Sequence, residues 1–200
     1  MSRTYTGNII NFLNDTNAWI YTKFLSHNFY AFGLKSSIRP PLRFGHLSNI
    51  EVGNHVTIHS NCWIQVLKSD ENENLPVIRI KDHVAIGMNA TISAVKSIVI
   101  EEYVFTARNV YISDHRHIYD DINVPISHQS IGCVSEVKIG AHTWLGQNSV
   151  VLPGITIGRH CVIGANSVVN IDIPDYTIAA GVPAKILKRY NSETKSWVRV

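Results

Sequence analysis

The stretch Lys138–Val169, KIGAHTWLGQNSVVLPGITIGRHCVIGANSVV, places Ile139, Leu145, Val151, Ile157, Ile163 and Val169 six residues apart. A helix needs an apolar period near 3.6 and a half-buried strand a period of two. Six is three times two. An extended chain that turns a corner every six residues aims all six side chains into one interior.

The register runs upstream with interruptions. Ile100, Thr106 and Ile112 form one set, Ile80, Ile86 and Ile92 another, and Val52, Ile58 and Ile64 a third. Glycine often follows the aliphatic, as at Gly53, Gly87, Gly140, Gly146, Gly158 and Gly164, and is expected to supply positive φ near the corner. A small or β-branched residue comes four positions after the aliphatic, as at Val56, Cys62, Val84, Ala90, Thr143, Ser149 and Ser167. Each break follows a multiple of three hexads: 10 residues are added after Ile64, 2 after Ile92 and 21 after Ile112. Insertions at one corner of a three-sided coil give this pattern, because loops of stacked repeats map to one edge. The count is fifteen hexads, or about five triangular coils, roughly 24 Å of column at ~4.8 Å per strand. A β-sandwich does not hold a six-residue register over six consecutive units, and handedness does not follow from periodicity.

With 200 residues and a net charge of +3, the chain suits one domain and lacks the basic load of a nucleic-acid binder. Cys62, Cys133 and Cys161 lack metal-type spacing and read as buried thiols in a reducing compartment. The N-terminus has no signal-peptide pattern and no apolar run reaches eighteen residues, so a cytoplasmic location is expected. A stacked column exposes strand edges at its ends and needs caps. Residues 8–32 have helix-like apolar spacing at Ile9, Phe12, Leu13, Ile20, Phe24 and Leu25, with Asp15-Thr16-Asn17 a candidate break into two helices. The aromatic cluster around Trp19 and Phe24, with Lys23 and Lys35, reads first as packing and alternatively as a peripheral contact with the inner membrane surface. The chain thus divides into a helical cap and lead-in, 1–45; a column, 46–175, with insertions at 68–79 and 113–138; and a C-terminal strand, short helix and basic tail, 176–200.

The hexads, the block Trp144–Gly158 and the ending IAAGVPAKILKRY resemble the hexapeptide-repeat acyltransferases over about residues 46–190. Within them, VYISDHRHIY and the basic tail look most like the O-acetyltransferases of lipopolysaccharide and O-antigen biosynthesis. The resemblance implies an all-β, left-handed parallel β-helix and a homotrimer with a groove between columns. It also implies acetyl-CoA as co-substrate, a sugar or polysaccharide-precursor acceptor, and no metal.

Acetyl transfer to a hydroxyl needs a base, and histidine, which titrates near neutrality, suits that task. The long insertion opens with SDHRH, and alignment to the family places the base on His115, with His117 as the fallback. The ring needs a partner on its other nitrogen; Asp114, Asp120, Asp121 or a backbone carbonyl are candidates. Asn61, Asp114 and His117 are the expected acceptor contacts. Carried over by position, Trp144, Gly146, Ala165 and Asn170 meet the pantetheine arm, Lys185 and Lys188 meet the phosphate-rich head with Arg189 nearby, and the Gly146 N–H is the candidate oxyanion donor.

Three alternatives remain at this stage. N-acylation of a nucleotide-linked amino sugar, or acetylation of a small acceptor, keeps the same base and groove. A zinc-dependent β-helix carbonic anhydrase would draw on His83, His115, His117 and His142. A non-catalytic solenoid would need outward threonine ladders, which this chain lacks.

Overall fold

A computed structural model describes residues 3–67 and 75–200, with side chains from Leu13 onward in the first helix. The apolar positions Ile9 and Phe12, and the insertion over 68–74, lie outside the described side chains and residues. Three parallel sheets form the faces of a triangular column, each receiving one short strand from every coil.

The hexad register is the register of the sheets. Ile100, Ile139 and Ile157 stack on the first face, Thr106, Leu145 and Ile163 on the second, and Ile112, Val151 and Val169 on the third. All six residues of the diagnostic stretch are fully buried, at 0 % exposure. Each isoleucine so placed contributes about 1.5–3 kcal/mol of burial. The small residues four positions later line the same interior: Val56, Cys62, Val84, Ala90, Thr143, Ser149 and Ser167 are all buried. Thr106, a polar residue at an aliphatic position, is satisfied there because its Oγ1 accepts the Gly87 N–H at 2.8 Å.

The column starts earlier than the sequence count placed it. Phe32 pairs with Val52, Ile38 with Ile58 and Phe44 with Ile64, so residues 31–45 form a further coil rather than a lead-in. Phenylalanine at two of the three aliphatic positions, and Pro40-Pro41 at a corner, disguised the repeat. The N-terminal cap is one continuous helix, Arg3–Ser26, unbroken at Asp15-Thr16-Asn17. Its Ala18, Thr22 and Leu25 are buried against the column. Thr22 Oγ1 accepts the Ile38 N–H at 2.8 Å and Tyr21 Oη accepts the Leu42 N–H at 3.1 Å, which satisfies donors of the first coil. At the other end the expected short helix is absent. Thr177–Gly181 pairs parallel with Val162–Ile163, then antiparallel with Ala184–Asn191, which pairs with Ser196–Arg199. The strand edge above the last coil is a stronger template for this segment than its apolar spacing is for a helix.

The three corners differ in chemistry. At the first two corners the left-handed positions are not the glycines. At the first corner they are Lys35, His55, His83, Tyr103, His142, His160 and Tyr176, and at the second Asn61, Asn89, Asn109, Asn148 and Asn166, all with φ between 53° and 61°. The first-corner rings stack from His55 to His142 with centroids 4.6–5.0 Å apart. The asparagine amides bond end to end: Asn89 donates to Asn109, Asn109 to Asn148 and Asn148 to Asn166, at 2.8–2.9 Å. Asparagine tolerates the left-handed region, and the ladder bonds offset its cost. The hexad glycines serve closeness instead: a Cβ on Gly87 would stand 2.2 Å from the Ala107 carbonyl oxygen of the next coil. The insertions all leave from the third corner, between the third and first faces. There, the segment between Ser113 and Val137 contains an antiparallel pair, Arg116–His117 with Ile131–Gly132.

Candidate active site

The third-face strand Tyr111–Ser113 delivers Asp114 and His115 to the third corner at the root of the long insertion. Asp114 is fully buried, and its carboxylate is the hub of the corner. It accepts the Val95 N–H at 2.9 Å, the Lys96 N–H at 2.7 Å and the Ser97 N–H at 2.9 Å from the coil below. It also meets His115 Nδ1 at 2.9 Å. Burial alone would raise its pKa, but the hydrogen bonds from His115, Lys96, Val95 and Ser97 outweigh burial and hold the carboxyl below its usual range. An ionised carboxylate only accepts, so in the neutral ring the His115 proton belongs on Nδ1 and the lone pair on Nε2.

His115, with a side chain only 10 % exposed, lines a cleft of about 700 Å³. Tyr111, Leu152, Pro153 and Ile155 supply its apolar surface, and Arg116, His117 and Asn170 its polar one. Ser113 braces the turn, its Oγ donating to the His115 carbonyl at 2.9 Å.

Of the residues singled out in the sequence, His115, His117 and Asn170 are thus brought together around one cleft. Asp114 is corrected from acceptor contact to the partner of His115: at 0 % exposure it reaches no acceptor. The chain bends at Asp114, just past the strand, and the adjacent carboxylate and ring meet there. Asn61 does not line the cleft; it sits at the second corner with φ 61°, its N–H bonded to the Pro41 carbonyl at 2.7 Å. Trp144 is half-exposed on the second face, and Gly146 and Ala165 lie at the second corner, across the third face from His115. The Gly146 N–H already donates to Ile163 O at 2.8 Å, so it does not serve as oxyanion donor. Lys185 and Lys188 lie exposed on the strand Ala184–Asn191, which extends the second-face sheet. His83 and His142 belong to the first-corner ring stack and do not join His115 and His117.

Cys133 is exposed and lines the cleft beside His115, whereas Cys62 and Cys161 are buried as expected. Arg116, Cys133 and Ser135 went unrecognised because they lie within the insertion, where no hexad register fixes position, and Leu152 because it follows the inward Val151 at the third corner and holds no inward position of the register. Their one sequence signal is proximity to the third corner.

Among known families, the bacterial transferase hexapeptide model (six repeats) matches residues 136–170. WbbJ of Escherichia coli K12, provisionally named a lipopolysaccharide biosynthesis O-acetyl transferase, is 42 % identical over 127 residues, covering 60 % of this chain and 65 % of that protein. A Mycobacterium tuberculosis protein named as a probable acetyltransferase is 39 % identical over 142 residues, covering 71 % of this chain and 45 % of its own. The chain therefore spans less than two thirds of either of these relatives. Galactoside O-acetyltransferase of E. coli K12 is 30 % identical over 169 residues, covering 84 % of this chain and 68 % of that enzyme. Among solved structures, AntD, an N-acyltransferase from Bacillus cereus in complex with dTDP and 3-hydroxybutyryl-CoA, superposes with a TM-score of 0.73 at 16 % identity. That match covers 89 % of this chain and 92 % of AntD. PerB from Caulobacter crescentus, in complex with CoA and GDP-perosamine, gives 0.54 at 22 % identity, covering 78 % and 59 %. The structural likeness establishes the fold as a left-handed parallel β-helix. With the repeat, the sheet register and a relative matched over most of both chains, the chain belongs to the hexapeptide-repeat transferase family.

Proposed function

We propose that this chain is an acetyl-CoA-dependent O-acetyltransferase that acylates a sugar hydroxyl of a surface polysaccharide or its precursor, by direct transfer in a ternary complex. The observation that carries this reading is the Asp114–His115 pair at the mouth of the cleft. Asp114 fixes the tautomer and leaves His115 Nε2 free to act as base.

The cleft suits a thioester arm: Tyr111, Leu152, Pro153 and Ile155 offer an apolar wall beside His115. Acetyl-CoA supplies an acyl carbon activated as a thioester. His115 takes the proton of the attacking hydroxyl at Nε2 and returns it to the departing sulfur, so no proton is left over. Asp114 favours the ring while it carries that charge. Trp144, Gly146 and Ala165, with Lys185 and Lys188 for the phosphate head, sit on a different side of the column from His115. A single copy does not gather both sets around one cleft, which supports a homotrimer whose grooves each join the third corner of one column to the second face of its neighbour.

The sequence relatives favour oxygen over nitrogen as the acceptor atom: galactoside O-acetyltransferase matches at 30 % identity, whereas AntD shares only the fold at 16 %. A thiol-release assay over neutral sugars, sugar phosphates and nucleotide-linked amino sugars tests the proposal. Turnover confined to UDP- or dTDP-amino sugars overturns it in favour of N-acylation. His115→Ala is expected to lower kcat by ~10²–10⁴-fold while leaving acetyl-CoA affinity nearly unchanged; near-wild-type turnover removes His115 from the mechanism.

A further inference from the structure

We infer that the acceptor carries an anionic group close to the hydroxyl that is acylated, and that Arg116 binds it; this rests on the transfer at His115 proposed above.

None of the eleven residues lining the His115 cleft is acidic, and Arg116 is the one fixed charge among them. Arg39, Arg79 and Arg159 each have a carboxylate at 3.2, 3.9 and 3.0 Å. Arg116 has no carboxylate partner among the described residues. It is nevertheless held in place. Its Nη1 donates to Tyr119 Oη at 2.9 Å, and its guanidinium carbon lies 5.0 Å from the Tyr119 ring centroid. The backbone of Arg116 is fixed by its pairing with Gly132. A guanidinium immobilised by stacking, held by the Tyr119 hydroxyl and the Cys133 thiol and facing no carboxylate, is a preorganised oxyanion receptor. The acids of the same loop are placed elsewhere: neither Asp120 nor Asp121 lines the cleft, and Asp121 Oδ1 accepts the Asn123 N–H at 2.9 Å. Asp114 stands behind His115, fully buried, with its oxygens turned to the Val95, Lys96 and Ser97 amides.

The charge does not serve the co-substrate. The thioester end of acetyl-CoA is neutral and its phosphates lie at the far end of a long arm. Arg116 directly follows the base, so an anion it binds sits beside the reacting hydroxyl, on the acceptor. Two sources share this chemistry: a phosphate ester or diphosphate on the sugar, and the carboxylate of a uronic acid.

Cys133 provides a test that needs no acyl transfer. It is the exposed thiol of the three and lines the cleft. Burial pushes the Cys62 thiol up to about 11 and raises that of Cys161, which leaves both slow to react. Alkylation of Cys133 in the full-length protein, followed by peptide mass spectrometry, is measured with iodoacetate and with iodoacetamide. The ratio of the two rates reports the local charge and cancels changes in thiolate fraction. In Arg116→Gln the ratio is expected to fall about fivefold or more, and in Arg116→Lys to stay near wild type. Glucose 1-phosphate, glucuronate and methyl glucoside are then compared as protectants of wild-type Cys133. Protection by the phosphate alone assigns a phosphorylated acceptor, by glucuronate alone a uronic acid, and by both an oxyanion site open to either. Protection by methyl glucoside equal to that by the anions, protection by none of the three, or a ratio unchanged in Arg116→Gln overturns the inference. An active His115→Ala enzyme would overturn the transfer mechanism while leaving the alkylation result standing.

Discussion

Asp114 does two jobs with one carboxylate: it ties the third corner to the coil below through three backbone amides and fixes the tautomer of His115. Because its folded-state pKa is depressed, it contributes stability that is fully present above the unfolded carboxylate value of about 3.9. That contribution is lost as pH falls through the lower folded value. Asp114→Asn should therefore cost stability at pH 7, on the order of 2–3 kcal/mol for the charge-assisted bonds it loses. The gap to wild type in chemical denaturation should narrow as pH falls below the unfolded carboxylate value of about 3.9. Its kcat should fall between those of wild type and His115→Ala, since the base remains but its orientation is relaxed. A denaturation gap that is flat with pH would refute the assignment of Asp114 as a native-state carboxylate anchor.

At the scale of the coil, stability depends on how closely neighbours approach. Gly87→Ala would set a Cβ 2.2 Å from the Ala107 carbonyl oxygen and 2.7 Å from that of Thr106. These are backbone atoms held by the sheets and do not yield cheaply. A loss of about 2–4 kcal/mol is expected, read as a lowered urea midpoint. Ser149 gives the opposite case. Its Oγ is buried without a hydrogen-bond partner among the described residues, so Ser149→Ala should be neutral to stabilising by about 1 kcal/mol in the same measurement. A clear loss on Ser149→Ala would mean that the hydroxyl has a partner after all. Corner asparagines and stacked rings explain how a column with so few positive-φ glycines holds its turns: among the described residues, only the glycines Gly154 and Gly181 have positive φ. The sequence made the hexad glycines conspicuous but did not reveal that the left-handed residue lies two positions later.

At the scale of the molecule, the proposed assembly has a direct consequence. If each site joins the His115 corner of one copy to the Trp144 face of another, His115→Ala and Trp144→Ala chains carry complementary defects. Trp144, 48 % exposed on the second face, can be truncated without opening the core. Mixing the two inactive proteins through unfolding and refolding should restore roughly a quarter of wild-type activity by random assembly, and sedimentation should give a trimer. A monomer in sedimentation, or no recovery on mixing, would place both residue sets in unrelated roles. No helix of the described residues is long and apolar enough to cross a membrane.

The interior of the column was decided by the sequence, because a corner every six residues makes burial a periodic function of position. Ile139, Leu145 and Val151 could be assigned to three faces before any coordinates. The coil at 31–45 escaped because phenylalanine and proline carry the same geometry without the same letters. The C-terminal segment escaped because a strand edge above the last coil, and not its own propensity, selects its form. The site divided along the same line. His115 was singled out by the family resemblance together with its place at the mouth of the long insertion. The pairing with Asp114, the exposure of Cys133 and the lack of a carboxylate on Arg116 were not, since they depend on how an aperiodic loop folds back on the third corner. Periodicity fixes what repeats, and only tertiary contact fixes what does not.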